Sequence, residues 1–237
     1  MKLSVVGVGY VGLVAGACLA DGGNHVIGVD NDPAKIDKLN QGDIPIYEPG
    51  LSEIIERNVK ARRLRFTTDL SDAVANSLVI ILAVGTPPKP DGSADLSAAL
   101  AVAGEIGRLM DGYRIITMKS TVPVGTYKKI TQAIAARTHH PFDYVSNPEF
   151  LKEGSAIEDF LRPDRVIIGA DNPAVVEIMK QIYAPFMRKS DRILVMDPAS
   201  AEMTKYAANS LLATKITFMN EISRLCEKFG ADVERVR

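Results

Sequence analysis

Short apolar runs alternate with helical patterns along the 237-residue chain. The apolar runs predict strands at Lys2–Val6, His25–Val29, Leu64–Thr67, Leu78–Leu82, Arg114–Met118, Asp143–Val145, Arg165–Ile168 and Arg192–Val195. Helices are predicted at Val11–Asp21, Pro33–Asn40, Gly50–Lys60, Leu96–Met110, Val124–Ala136, Pro173–Phe186 and Ser200–Phe229. Several strands are continuous Val/Ile/Leu runs, which is typical of strands covered by helices on both faces. The alternation predicts an α/β fold with a doubly wound, mostly parallel sheet and right-handed crossovers.

The last predicted helix is much longer than the others. Ser200–Phe229 would extend about 45 Å at 1.5 Å per residue, a length that suits a connection between domains or a dimer contact. We therefore predict a sheet domain at residues 1–197 and a long helix with the start of a further region at residues 198–237. Asp232 is a typical N-cap residue, so a further helix should begin there. Because the sequence stops within that element, we expect it to be part of a longer chain.

The first twenty residues allow two interpretations. Leu3–Ala20 contains no charged residue and follows a single lysine, a pattern that resembles a signal peptide or a short membrane span. The segment also contains four glycines, and its β-branched first part gives way to small, helix-compatible residues. A buried strand followed by a buried helix explains both parts. We therefore expect a cytoplasmic protein that does not associate with membranes.

Composition and charge narrow the classes of partner. Hydrophobic residues make up 46% of the chain and charged residues 24%, which is typical of a globular protein with a core. The formal net charge of -1 lacks the basic excess that nucleic acid or an anionic membrane surface attracts. Trp is absent, so a stacking platform for single-stranded nucleic acid is not expected. The two cysteines and three histidines have neither disulfide nor metal-site spacing, and no metal is expected.

A glycine-rich turn separates the first strand from the first helix. Gly7 permits a tight turn, Gly9 lets the backbone approach a pyrophosphate, and Gly12 lets the helix pack close to the strand. The N–H groups and the dipole at the start of the helix favour anionic phosphates. This arrangement predicts a Rossmann-type dinucleotide-binding domain at residues 1–197.

An acidic residue ends the second predicted strand. Asp30 lies eighteen residues after Gly12, where its carboxylate can accept hydrogen bonds from ribose hydroxyls and would repel a 2′-phosphate. The predicted cofactor is therefore NAD rather than NADP. Lys35 could reach the adenosine end of the cofactor, or it could be a solvated helix charge.

Three further loops follow predicted strands, where ligands of open α/β sheets bind. Thr86 and Thr121 are therefore candidates to line the cofactor or substrate crevice, although turn and N-cap hydroxyls are an equal alternative. The loop Asn147–Gly154 places two carboxylates, an amide and a lysine beside apolar side chains, and a glutamate in such surroundings can transfer protons. On the long helix, Lys205 and Asn209 share one face and could stabilise an oxyanion. An exposed lysine beside a packed asparagine is the alternative.

Six short segments occur in an order that resembles one enzyme family. They are Gly7-Val8-Gly9-Tyr10-Val11-Gly12, Val84-Gly85-Thr86-Pro87, Asp91-Gly92-Ser93-Ala94-Asp95, Ser120-Thr121-Val122-Pro123-Val124-Gly125-Thr126, Asn147-Pro148-Glu149-Phe150-Leu151-Lys152-Glu153-Gly154 and Lys205-Tyr206-Ala207-Ala208-Asn209. Together they resemble the N-terminal part of the UDP-glucose/GDP-mannose dehydrogenase family over essentially the whole chain. The resemblance implies an NAD-dependent enzyme that oxidises the C6 alcohol of a sugar nucleotide twice, to the carboxylate. It also implies a thioester on a catalytic cysteine, and a homodimer with the long helix at its core.

The resemblance assigns roles residue by residue. It implies cofactor contacts by Gly7, Gly9, Tyr10, Val11, Gly12, Asp30, Lys35, Thr86, Thr121 and Glu153. It implies sugar-nucleotide contacts by Glu149, Phe150, Leu151, Lys152, Glu153, Lys205 and Asn209. Within these sets, Glu149 would assist thioester hydrolysis and Thr121 would help to position a catalytic water. Lys205 and Asn209 would stabilise the developing oxyanion.

The sequence departs from the family pattern at the catalytic thiol. The family's nucleophilic cysteine lies in a Gly-Gly-Ser-Cys-Phe-Pro-Lys-Asp-like segment after the long helix, and neither Cys18 nor Cys226 matches it. The family's C-terminal UDP-binding domain also has no counterpart in residues 1–237. We therefore expect these residues to bind NAD without completing the oxidation.

The same sequence is also compatible with other functions. The stretch Glu149–Gly154 is more similar to the branch of the family that acts on UDP-glucose than to enzymes for GDP-mannose, which tend to have Ser in place of Gly154. Enzymes for UDP-N-acetylmannosamine tend to lose the Phe-Leu pair. A non-catalytic NAD-binding module is the alternative from another class. The unmatched thiol favours that module, whereas Glu149, Lys205 and Asn209 oppose it.

Overall fold

The computed structural model describes residues 1–187 and 192–237. Over these residues the strands are β1 Lys2–Val6, β2 His25–Val29, β3 Leu64–Thr67, β4 Val79–Leu82, β5 Arg114–Met118, β6 Phe142–Ser146, β7 Val166–Gly169 and β8 Ile193–Met196. The helices are α1 Tyr10–Asp21, α2 Pro33–Asn40, α3 Leu51–Lys60, α4 Leu70–Asn76, α5 Ser97–Leu109, α6 Thr126–Ala135, α7 Ala156–Leu161, α8 Pro173–Tyr183, α9 Pro198–Phe229 and α10 Val233–Val236, with a 3₁₀ turn at Ala184–Phe186.

All of these strands belong to one sheet with the order β3-β2-β1-β4-β5-β6-β7-β8. Neighbouring strands from β3 to β6 are parallel, as are β7 and β8. The pair β6 and β7 is antiparallel, with Ser146 opposite Gly169. The order reverses between β1 and β4, which is where open α/β sheets bind ligands. The predicted fold class, a doubly wound and mostly parallel sheet followed by a long helix, is confirmed.

Two apolar layers cover the sheet. Alternation along β1 directs Leu3 and Val5 into the layer that contains α1, α3, α7 and α8. Val6 points to the opposite layer, which contains α4, α5 and α6. Every residue of β4 is buried, as expected for a central strand with both faces covered. Helices on both faces therefore leave the carboxyl edge of the strands free for a site.

The short helices were the main elements that the sequence pattern missed. α4 and α7 have seven and six residues, too few for an apolar period to be recognised. α9 begins two residues earlier than predicted, because Asp197 caps it through the Ser200 N–H and Pro198 occupies the first turn. The helix predicted from Asp232 is present as α10, and the Asp232 carboxylate accepts the Glu234 N–H at 3.0 Å.

The long helix α9 leaves the sheet after its first turns. Ala201, Glu202 and Lys205 are buried, and large apolar residues further along are exposed. These exposed residues include Leu211, Leu212, Ile216 and Phe218. Neither α9 nor any other helix in residues 1–187 and 192–237 is both long enough and apolar enough to cross a membrane.

Candidate active site

The turn between β1 and α1 has a geometry that requires glycine. Gly7 has a φ of +94°, and its N–H donates to the carbonyl oxygen of Val29 at 2.8 Å. A Cβ on Gly12 would lie 1.8 Å from the carbonyl oxygen of Gly7, so no larger residue fits there without movement of the backbone. A Cβ on Gly9 would meet nothing within 4 Å. The backbone at Gly9 therefore borders open space.

The N-terminus of α1 differs from most of the other helix starts. The helices α2, α4, α8, α9 and α10 are each capped by the side chain of an Asp or Asn. At α1 the N-cap residue is Gly9, and no side chain among the described residues caps the helix. The first N–H groups of a helix and its dipole attract anions. The turn is thus suited to a phosphate group.

Asp30 fixes the turn to the end of β2. Its Oδ2 accepts the Val8 N–H at 3.0 Å and pairs with the Lys35 ammonium at 2.9 Å. Its Oδ1 accepts the Asp32 N–H at 3.1 Å. The side chain of Asp30 is buried, whereas that of Lys35 is partly exposed. The predicted ribose acceptor and the predicted adenosine-end lysine therefore form one ion pair beside the turn.

The loops that follow β4 and β5 are tied together. The Thr86 hydroxyl donates to the carbonyl oxygen of Thr121 at 2.8 Å. The second loop is also held by α9, because the Glu202 carboxylate accepts the N–H groups of Gly125 at 2.6 Å and Tyr127 at 2.7 Å. Burial raises the pKa of Glu202 although both amides act to lower it. Thr86 and Thr121, predicted as crevice residues, thus lie side by side on a fixed support.

An ion pair between a buried lysine and a partly buried glutamate joins the loop after β6 to α9. Glu149 Oε1 lies 3.0 Å from Lys205 Nζ, and Glu149 Oε2 accepts the Leu151 N–H at 2.6 Å. The side chains of Glu149 and Lys205 are 14% and 9% exposed. The alternative of an exposed, solvated Lys205 is therefore wrong. Packing of the first turns of α9 against β6 and β7 brings the lysine to this place.

Most of the predicted substrate residues line one pocket. Its volume is about 390 Å³, and its wall includes Glu149, Phe150, Leu151, Lys152, Lys205 and Asn209. Asn209 lies one turn beyond Lys205 and is exposed. Glu153, which was predicted to touch both ligands, lies outside this pocket and close enough to Tyr10 for its charge to act on that hydroxyl. The pocket therefore brings a carboxylate, an ammonium and an amide to one wall.

Two cationic residues of this pocket, Arg165 and Lys119, were not predicted from the sequence. The Arg165 guanidinium lies 4.0 Å from the centre of the Phe150 ring, and Lys205 Nζ lies 5.2 Å from it. Phe150 lies in the loop after β6, and Arg165 directly precedes β7, the antiparallel neighbour of β6. Lys119 is buried and donates to Asn147 Oδ1 at 3.3 Å. The position of Lys119 directly after a buried strand was the one sequence signal for it.

The two thiols of the chain lie away from the pocket. Cys18 is within α1, and burial raises its pKa to about 12. Cys226 is buried near the far end of α9, seventeen residues after Asn209 and so about 25 Å along the helix. Neither side chain is among the residues that line the pocket. Among the described residues, no group of three His, Cys, Asp or Glu side chains is placed to hold a metal ion.

The sequence matches two profiles of a single family. Residues 1–187 match the NAD binding domain of the UDP-glucose/GDP-mannose dehydrogenase family, and residues 199–237 match its central domain. The UDP-glucose 6-dehydrogenase of Pseudomonas aeruginosa is 50% identical over 100% of this chain and 53% of its own length. UDP-glucose 6-dehydrogenase TuaD of Bacillus subtilis is 47% identical over 99% of this chain and 51% of its own length. The chain thus spans about half the length of the curated relatives it matches.

Solved structures of two dehydrogenases are similar to this chain in both fold and sequence. A UDP-glucose dehydrogenase from Pyrobaculum islandicum superposes with a TM-score of 0.94 at 42% identity, covering 99% of this chain and 55% of that one. A GDP-mannose dehydrogenase from Pseudomonas aeruginosa, solved as a ternary complex, gives a TM-score of 0.92 at 36% identity, covering 100% and 55%. The chain therefore belongs to the UDP-glucose/GDP-mannose dehydrogenase family and contains its NAD-binding domain.

Proposed function

We propose that the chain is the NAD-binding part of a UDP-glucose 6-dehydrogenase, which oxidises the C6 alcohol of UDP-glucose to a carboxylate with two molecules of NAD. The observation that carries the proposal is the ion pair between Glu149 and the buried Lys205. Glu149 follows β6, and the turn Gly7–Gly12 follows β1, so the turn and the carboxylate of the pair lie at the carboxyl edge of parallel strands. A dinucleotide at the turn would therefore extend along the edge that leads to the pair.

The described residues fit NAD. The open space at Gly9 and the N-terminus of α1 would receive the pyrophosphate, with Tyr10 and Val11 in the first turn. Asp30 would accept hydrogen bonds from the adenosine ribose, with Lys35 beside it. We assign further cofactor contacts to Thr86, Thr121 and Glu153. The bound cofactor would accept hydride from the substrate.

The pocket residues would supply the remaining chemistry. Lys205 and Asn209, one helical turn apart on the wall of the pocket, would stabilise negative charge that develops on the substrate oxygen. Glu149 would accept a proton from the water that hydrolyses the thioester, and Thr121 would help to orient that water. Phe150 would contact the sugar nucleotide. We assign the same role to the neighbouring residues Leu151, Lys152 and Glu153.

The proposal assigns different roles to two parts of the chain. We assign NAD binding to residues 1–197 and a connecting, dimer-forming role to residues 198–237. The exposed apolar residues of α9, among them Leu211 and Ile216, support a homodimer through this helix. UDP-glucose is favoured over GDP-mannose by Gly154 in the loop and by the names of the two curated relatives.

Titration calorimetry and a steady-state assay test this function. We expect the chain to bind NAD saturably and to produce no sustained NADH from UDP-glucose and NAD, because Cys18 and Cys226 lie away from the pocket. Absence of NAD binding would contradict the proposed function. Sustained NADH production would show instead that residues 1–237 hold a complete catalytic set, and repeating the assay with GDP-mannose would then separate the two substrates.

Exchange of Asp30 for serine should change the choice of cofactor. The substitution removes the ribose acceptor and releases Lys35 from its ion pair, so that the lysine can meet a 2′-phosphate. We expect the ratio of NAD to NADP affinity to fall by about tenfold, as calorimetric titration with each cofactor would measure. Asp37→Asn, at an exposed carboxylate on α2, is the matched control and should leave the ratio unchanged. An unchanged ratio in Asp30→Ser would remove Asp30 from the cofactor site.

A further inference from the structure

Glu48 lies outside every motif found in the sequence, in the segment between α2 and α3, yet it contacts two parts of the site. The residue is 5% exposed. Its Oε2 accepts the hydroxyl of Tyr10, the first residue of α1, and the Gly154 N–H at 2.8 Å. Its Oε1 accepts the Ala156 N–H at 2.9 Å. One carboxylate thus joins the cofactor turn to the end of the loop that carries Glu149.

The pKa values of Glu48 and Tyr10 suit a carboxylate that accepts hydrogen bonds and a phenol that donates one. Burial alone would raise the pKa of Glu48, but hydrogen bonds from Tyr10 and from backbone N–H groups, that of Gly154 among them, hold it below its usual value. Burial and the hydrogen bond to Glu48 raise the pKa of Tyr10 to about 12, so the phenol keeps its proton and remains a donor. An ionised carboxylate only accepts hydrogen bonds, and such charge-assisted bonds are stronger than neutral ones. Glu48 therefore holds donors from three separate positions in the chain.

We infer that Glu48 is a positioning residue that couples the cofactor turn to the substrate loop, residues 149–156. The inference rests on the proposed NAD and sugar-nucleotide sites. A pyrophosphate at the N-terminus of α1 would restrain Tyr10, and Tyr10 shares Glu48 Oε2 with the Gly154 N–H. The Gly154 N–H also lies 3.3 Å from the Tyr10 hydroxyl oxygen. Binding of NAD would therefore order the loop before the sugar nucleotide meets it.

Hydrogen exchange followed by mass spectrometry tests the coupling in the chain itself. The amides of residues 149–156 are measured with and without saturating NAD in the wild type, Tyr10→Phe and Tyr47→Phe. Tyr47 adjoins Glu48 and is 89% exposed, so its variant controls for loss of a phenol hydroxyl. In the wild type and in Tyr47→Phe we expect NAD to slow exchange in the loop by about tenfold. Tyr10→Phe, measured at an NAD concentration that saturates it, should lose most of this slowing.

Three outcomes would overturn the inference. Equal slowing by NAD in Tyr10→Phe and in the wild type would overturn the inference, because a merely structural Tyr10 would give that result. NAD binding by the wild type with no change in loop exchange would also overturn it, and would leave the proposed function standing. Failure of the wild type to bind NAD would overturn the proposed function and the inference together. Should Tyr10→Phe not bind NAD, Glu48→Gln, which retains the tyrosine, provides the same comparison.

Discussion

Replacement of Gly12 by alanine is expected to abolish measurable NAD binding and to lower the free energy of unfolding by about 3 kcal/mol. The new Cβ would lie 1.8 Å from the carbonyl oxygen of Gly7 and 3.2 Å from the Cβ of Ala83. The nearer of these atoms belongs to the backbone and cannot rotate away, so α1 would have to shift from the turn. Its first N–H groups would then no longer point at the position proposed for the pyrophosphate. Calorimetric titration with NAD and urea unfolding measure the two effects.

Gly16→Ala is the matched control for this prediction. Gly16 is also in α1, but its Cβ would make ordinary contacts at 3.7 Å with methyl groups of Val5 and Val26. Alanine favours a helix over glycine by about 1 kcal/mol. We expect Gly16→Ala to bind NAD as the wild type does and to be at least as stable. If Gly12→Ala also binds NAD normally, the close approach of α1 to the turn is not needed for the cofactor.

The fold could be predicted because its main signals are local. Strands such as β4 are continuous apolar runs, and their length separates them from the intervening helices. The direction of β7 could not be predicted, since the buried run Val166–Gly169 has the same pattern in either orientation. That direction matters for the site, because it puts the start of β7, and with it Arg165, at the same edge of the sheet as the loop after β6.

The site was predictable only where its residues are close in sequence or carry a family motif. The Gly7–Gly12 turn is contiguous, and its geometry follows from its residues. Glu149 and Lys205 are 56 residues apart, and the residues alone gave them as two unrelated candidates. Glu48 is 106 residues from Gly154, and nothing in its neighbourhood distinguishes it from a surface glutamate. Such contacts depend on tertiary packing, which a reading of local pattern does not supply.

Replacement of Lys205 by methionine is expected to lower the free energy of unfolding by about 3 kcal/mol, because removal of the buried ammonium leaves the partly buried Glu149 charge uncompensated. Glu149 Oε2 would keep the Leu151 N–H, whereas Oε1 would lose the ammonium at 3.0 Å. The side chain of Glu149 is 14% exposed, so water can replace the lost partner only in part. Urea unfolding of the chain at neutral pH measures the change.

The double variant Glu149→Gln/Lys205→Met separates the pair from the packing of the lysine stem. Glu149→Gln puts a neutral amide in place of the carboxylate, and burial of an amide does not require a cation. We therefore expect the double variant to be more stable than Lys205→Met alone. Lys215→Met, at an exposed position on the same helix, should change stability by less than about 0.5 kcal/mol. Strictly additive effects of the two substitutions would mean that Glu149 and Lys205 do not interact energetically. The carboxylate and the ammonium would then not hold each other in place, and the pair would no longer support the roles proposed for Glu149 and Lys205.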